Sequence, residues 1–289
     1  MTTMNTVTVP KFEGNLLIPE IVTEAGFLRG GFGKAVLREY QGRVKTEYQD
    51  APVLNVLSWN DQQNVVQGSN PFAVVLVNQI LRQSGQPCLR TATPADLERI
   101  LATNALELLG PYEDSALVLR TADEPNRYLA KDLMAQVQAR VDKKSKAPYM
   151  IPLAGLDLKG DQDSQYGLAF KLRDDAEIVE APILSKCGSF SSADINEKTG
   201  LPTKLSTQGD RTLYTRETGL SRLCLGRSSD LYSYDGDLQF SGGNGRVVVV
   251  GGEATAKNFE SEIRQEYDRQ RERLEERYKK ALATLNEKE

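Results

Sequence analysis

From Gly219 to Val250 the chain reads GLSRLCLGRSSDLYSYDGDLQFSGGNGRVVVV, and this stretch restricts the fold more than any other. Leucines recur at Leu220, Leu223, Leu225, Leu231 and Leu238, and the run closes on Val247, Val248, Val249 and Val250. The imperfect alternation of Leu220, Leu223 and Leu225 predicts a strand with a bulge, because one extra residue moves the next side chain to the other face. After Arg246 the chain is β-branched and apolar, the pattern of a strand buried on both faces near the centre of a sheet. Between these strands Gly, Asp and Asn predict tight reversals anchored by Leu231 and Leu238. Tyr232, Tyr234 and Phe240 are then expected on an exposed, rigidly mounted surface.

The polar residues of the stretch use a narrow alphabet. Of the 26 residues from Ser221 to Arg246, 20 are Ser, Gly, Asp, Tyr, Arg, Asn or Cys. Between Thr218 and Gly252 there is no Lys, Glu, Met, Trp, Pro or His, although Lys and Glu are common elsewhere. Tyr, Ser, Gly and Asn are the alphabet of binding loops: Tyr supplies contact area at low entropy cost, and the small polar residues adapt their hydrogen bonds. An ordinary loop region that turns often shares the Gly and Ser content.

Composition narrows the function classes. A net charge of −4 over 289 residues, with no run of Lys or Arg interleaved with aromatics, argues against a nucleic-acid partner. No apolar run is long enough to span a membrane, and MTTMNTVTVPKFEG has no basic segment followed by an apolar core. With Cys88, Cys187 and Cys224 widely spaced and odd in number, reduced thiols and a cytoplasmic location are expected, or a virion if the gene is phage-borne. The chain contains no histidine, which excludes Ser-His-Asp and Cys-His nucleophile pairs and every His-ligated metal. No cofactor is called for by any motif.

Residues up to about Asp50 hold an extended start, TVTVPKF, and a Gly-rich segment expected to form a loop leading into a short helix. Gly33-Lys34 does not complete a phosphate-binding loop, since Leu28 and Ala35 stand where Gly and Ser or Thr are required. PVLNVLSW predicts a strand ending at Trp59. Ser69-Asn70-Pro71 predicts a capped start for a buried helix, FAVVLVNQILRQ, and Thr93-Pro94-Ala95-Asp96 opens a second helix with acids at its positive end. Leu89-Arg90-Thr91-Ala92 recurs as Leu119-Arg120-Thr121-Ala122, but two copies do not make a solenoid. SALVLRT predicts a strand and PNRYLAKDLMAQVQARV a helix capped near Asp123. MIPLAGLDL, YGLAFKLR and AEIVEAPIL predict strands, and 185–209 a long polar loop. Asp157, Asp161 and Asp163 lack the Gly and Glu of an EF-hand, so a solvated turn is expected there.

The order of strand, buried helix and CLRTATPADLERIL resembles the C-type lectin fold of the formylglycine-generating-enzyme group. That group opens its second helix with an Arg-Leu-Pro-Thr-Glu-Ala-Glu-Trp-Glu type segment, matched here by Arg90, Thr93, Ala95, Asp96, Leu97 and Glu98. The ending Asn244-Gly245-Arg246-Val247-Val248-Val249-Val250 is similar to the Gly-aromatic-Arg-Val ending of such domains. The resemblance implies an α+β C-type-lectin-like domain: a small twisted antiparallel sheet with two or more flanking helices. It covers 51–252, leaving 1–50 as an N-terminal segment and 253–289 as a charged C-terminal helix.

The stretch at about 219–250 further resembles the variable region of the target proteins of diversity-generating retroelements. There, error-prone reverse transcription substitutes the adenines of codons such as AAC, which never yields Lys, Glu, Gln, Met or Trp. Gln239 is accordingly read as fixed. The resemblance implies ligand-contacting, exchangeable positions at Ser221, Arg222, Cys224, Gly226, Arg227, Ser228, Ser229, Asp230, Tyr232, Tyr234, Asp235, Gly236, Asp237, Phe240, Gly242, Gly243 and Asn244, on a fixed scaffold of the leucines and 246–250. The implied partner is a macromolecular ligand, a protein, whose identity a diversified site does not encode.

From about Ala254 to Asn286 the chain is charged and strongly helical in pattern. Phe259, Ile263, Tyr267, Gln270, Leu274, Tyr278, Ala281 and Leu285 follow a 4-4-3 spacing, an eleven-residue period suited to a nearly straight helix. This narrow stripe suits either docking on its own domain or a homo-oligomer through the 254–286 helix. The alternative to a binding protein is thus a structural or assembly protein. A carboxylate enzyme using Asp157, Asp161 and Asp163, or Asp230, Asp235 and Asp237, has no supporting spacing.

Overall fold

The computed structural model describes residues 7–17, 24–86 and 88–252, together with 267, 271, 274, 275, 278 and 279. Its fold is α+β, and among the described residues up to 252 there are four helices: α1 (Gly30–Thr46), α2 (Pro71–Gln83), α3 (Pro94–Thr103) and α4 (Arg127–Gln138). The centre is α2, apolar on nearly every side and buried along most of its length. Asn70 caps it, its side chain accepting a hydrogen bond from the Ala73 amide, and Pro71 occupies the first turn where no amide partner is needed. Thr93 and Asp96 form the reciprocal capping box that starts α3.

The described residues before 51 share the main core rather than standing apart. The strand Glu24–Phe27 pairs with Val248–Gly251, and α1 packs Phe32, Val36, Leu37, Tyr40 and Val44 into the cluster that holds α2. The predicted short helix is 17 residues long. Its glycines hid the spacing of its apolar face, and Gly33 is required by close approach: a Cβ there would lie 2.5 Å from the Leu28 carbonyl carbon.

Two sheets frame the helices. In the first, Val248–Gly251 lies between Glu24–Phe27 and Arg90–Thr91, buried at every position as its valines predict. The second has eight strands and is mixed, which corrects the expectation of a small antiparallel sheet: Arg211–Tyr214 runs parallel to Leu231–Tyr232, and Gly245–Arg246 parallel to the start of Tyr112–Leu119. Tyr112–Leu119 sends Leu117 and Leu119 into the core shared with α2 and α4, and Ala116 and Val118 into a second core with α3.

Several predicted strands are shorter than the sequence suggests. Pro52–Leu54 forms a 3-10 turn and the strand is only Ser58–Asn60, because a proline lacks the amide a ladder needs. A turn at Leu153–Gly155 divides MIPLAGLDL, and Pro182 ends the strand Val179–Glu180. The 185–209 loop holds the strand Gly188–Phe190 and a short hairpin, Ile195–Asn196 with Leu201–Pro202. Helix α4 begins at Arg127, not after a cap near Asp123, and Asn126 before it makes no side-chain cap, since its Oδ1 accepts from Gln165 and Tyr166 and its amide donates to the Leu220 and Gly236 carbonyls. Of the predicted 254–286 helix, the six described residues are helical and the rest lies outside the described residues. Among the described residues no helix is long and apolar enough to cross a membrane.

Candidate functional site

The predicted bulged strand is Leu220–Leu225, and its register against Tyr112–Leu119 shifts between Leu223 and Cys224. The shift turns Leu223 and Leu225 into the second core, where Leu213 and Leu231 join them. Cross-strand pairing then sets Asp114, Cys224, Tyr232 and Tyr214 side by side along one row.

The outer end of this row is aromatic. Tyr214 and Tyr232 stack with centroids 4.9 Å apart and planes 12° from parallel. Tyr234 closes a corner, 5.9 Å from Tyr232 and 6.4 Å from Tyr214. Tyr214 is 39% exposed, Tyr234 51% and Phe240 50%, while Tyr232 is half-buried between its neighbours. Gly226 makes room for the stack: a Cβ there would lie 2.1 Å from the Tyr232 ring.

The inner end is charged and buried. The Arg222 guanidinium lies between the rings of Tyr112 (5.5 Å) and Phe240 (5.2 Å). It donates to Asp235 at 2.8 Å and to the Phe240 carbonyl at 3.1 Å, and stands 3.5 Å from Asp114. Burial by itself would lower the Arg222 pKa, but Asp114, Cys224 and Asp235 hold it above the ordinary arginine value. Asp114 is pushed up by burial against the pull of Arg222 and of the Ser69 hydroxyl, which donates to it at 2.6 Å. Burial first, then Asp114, raise the Cys224 thiol, so it stays protonated and is no activated nucleophile.

The turns are pinned from below. Ser69 donates its amide to the Ser241 hydroxyl, Tyr112 its hydroxyl to the Ser69 carbonyl, and Gly242 its amide to the Tyr112 hydroxyl. Asn70 reaches the Gln239 carbonyl from the cap of α2. Asp235 accepts from the Asp237 amide, Asp237 from the Gln239 and Phe240 amides, and Asp230 from the Thr212 amide and Ser228 hydroxyl. These carboxylates build reversals, and among the described residues no group of three His, Cys, Asp or Glu is placed to hold a metal ion. Asp157 pairs with Arg82, and Asp161 accepts from Tyr128.

The seventeen sequence-derived positions therefore divide. Arg227, Ser228, Tyr234, Asp237, Phe240 and Gly243 are exposed; Ser229, Asp230, Tyr232, Asp235, Gly236, Gly242 and Asn244 are half-buried. Ser221, Arg222, Cys224 and Gly226 are buried and present no contact surface. Ser221, for example, accepts from Arg120 at 2.9 Å and donates to the Ser233 carbonyl at 2.8 Å. No family model, curated protein or solved structure matches the chain. Any functional reading therefore rests on this geometry. The face also has residues that lie outside the stretch, Tyr214, Tyr112, Asp114 and Ser69. Only Tyr214 had a visible signal, the alternation of Leu213 inward and Tyr214 outward in Arg211–Tyr214.

Beside Asp114, the Glu113 carboxylate is buried, and among the described residues neither of its oxygens has a hydrogen-bond partner. Burial, then Asp114, push it well above the usual carboxylate range, with Arg246 pulling the other way. In the unfolded chain it ionises near pH ~4.3. Above that pH, and up to its raised native value, the native state holds more protons than the unfolded state, so stability falls as pH rises. Below it both states are protonated and the penalty vanishes. Glu113→Gln, which cannot ionise, is expected to flatten this fall and to be more stable than the wild type at neutral pH. Urea titrations of both proteins across the acid-to-neutral range measure it; equal slopes would contradict the assignment.

Proposed function

We propose that this chain is a non-enzymatic binding protein that recognises a macromolecular ligand, a protein, through the aromatic face of its mixed sheet. The observation that carries the reading is the corner of Tyr214, Tyr232 and Tyr234, with Phe240 mounted over Arg222: large aromatic side chains left exposed on a hydrogen-bonded, buried support. Anchors of this kind lose little entropy on binding because they are already held in place. Around them Arg227 and Gly243 are exposed, and a Cβ at Gly243 would meet nothing within 4 Å, so these positions can be exchanged, while the exposed Ser228 and Asp237 also hold the turns. That division between fixed support and exchangeable surface supports a C-type-lectin-like display domain diversified by a retroelement. So do the capped helix from Pro94, the bulged leucine strand and the buried valine strand that follow in the order of that resemblance.

Reading the DNA around the coding sequence tests the diversification. A nearby reverse-transcriptase gene, with an imperfect copy of codons 219–250 differing mainly at adenines, is expected. The copy should differ at the codons of the surface set and agree at those of Leu220, Leu223, Leu225, Leu231 and Leu238. Absence of both elements removes retroelement diversification and leaves binding to be tested alone. An assembly role is the second reading, favoured by one observation: Tyr267, Leu274 and Tyr278 stand exposed on the C-terminal segment.

A further inference from the structure

Tyr267, Leu274 and Tyr278 are 65%, 67% and 65% exposed, so the chain's own domain does not cover them. They are seven and eleven residues apart, about two and three turns of helix, and so lie along one face. Arg271 and Glu275 pair beside that face at 3.8 Å. Three large apolar side chains in water call for a cover, and the charge pattern of the segment identifies it. Residues 259–268 carry four acids and one base, net −3, whereas 269–280 carry six bases and three acids, net +3. Side by side in parallel, two copies would set like charge against like. Running antiparallel, each acidic half meets the other copy's basic half. The described apolar positions agree with the same symmetry: a two-fold axis between 270 and 271 places Tyr267 opposite Leu274.

We propose that the C-terminal segment is a dimerisation element, and that its occupant is the same segment of a second copy, paired antiparallel about residues 270 and 271. The interface is isologous, so it closes at two chains. The eleven-residue period keeps the stripe facing the partner with almost no supercoil. The pairing places two display domains on one particle, so a repetitive ligand would be held bivalently. It does not depend on what the aromatic face binds.

The test uses the full-length chain in sedimentation experiments. The wild type is expected at twice 32.0 kDa. A variant with Glu262→Lys and Glu266→Lys, and another with Arg273→Glu and Arg277→Glu, should each self-associate at least about tenfold more weakly. Mixed together they should form a heterodimer, which also shows that charge reversal has not destroyed the pairing surface. Orientation is read by disulfide capture in a background of Cys88→Ser and Cys187→Ser. Tyr267→Cys should cross-link efficiently with Leu274→Cys, and poorly with itself, since its own copies would be about 10 Å apart along the axis. A wild type that stays at 32.0 kDa overturns the proposal, as does self-association indifferent to charge reversal. Self-linking of Tyr267→Cys as fast as the mixed pair overturns the antiparallel arrangement.

Discussion

Arg222→Met is expected to destabilise the domain by about 3–5 kcal/mol. Arg222 is buried, and its charge is matched by Asp235 at 2.8 Å and by Asp114 at 3.5 Å. Removing the cation leaves Asp114, which is fully enclosed, with only the Ser69 hydroxyl as a hydrogen-bond partner among the described contacts. Burial has already pushed that carboxyl upward, so without Arg222 it would take up a proton, and the cost of doing so appears as lost stability. Two ring contacts, to Tyr112 and Phe240, go as well. Adding Asp114→Leu should restore much of the loss, because a well-packed apolar pair replaces a buried ion pair at little cost. Urea midpoints of the single and double variants decide it. A loss below about 1 kcal/mol for Arg222→Met would show that the pair is hydrated and that the face lacks a rigid support.

Tyr234→Ala and Tyr214→Ala are each expected to weaken ligand binding by about 2 kcal/mol or more, roughly thirtyfold. Both side chains are substantially exposed, so what they contribute to the fold is the ring contacts with Tyr232, about 0.5–1.5 kcal/mol. Tyr214→Ala should cost more stability than Tyr234→Ala, since its ring is the one stacked flat on Tyr232. Tyr214→Phe should keep most of the affinity, because the ring face rather than the hydroxyl makes the stack. Gly226→Ala supplies an independent route to the same loss. Its methyl group would enter the Tyr232 ring position and break the corner without removing an aromatic residue.

Much of the scaffold was legible because its signals are local. The Asn70 cap with Pro71, the Thr93–Asp96 capping box, the bulge after Leu223 and the buried valine strand each follow from residues within one or two turns of one another. What failed was set by distant partners. Ser221 and Arg222 are polar residues in a strand, and alternation alone would leave them wet. They are buried because Ser233, Arg120 and Asp114, 12 to 108 positions away, supply their hydrogen bonds and countercharge. The parallel pairing of Tyr214 with Tyr232 is likewise a long-range fact, so a tyrosine outside the variable-looking stretch was missed although it completes the corner. In α1, four glycines, of which Gly33 is demanded by close approach to the Leu28 backbone, diluted a good helical face and shortened the expected helix.

The most direct test of the aromatic face is a scan with selected ligands. Ligands are taken from a displayed random-peptide library with the wild-type protein, and their dissociation constants measured against single-alanine variants spread over the surface. Losses of about tenfold or more are expected at Tyr214, Tyr234 and Phe240. Tyr128, exposed on α4 with its hydroxyl donating to Asp161, should give no change. Losses centred on Tyr128, or ligands indifferent to all three aromatic residues, would contradict recognition by this face.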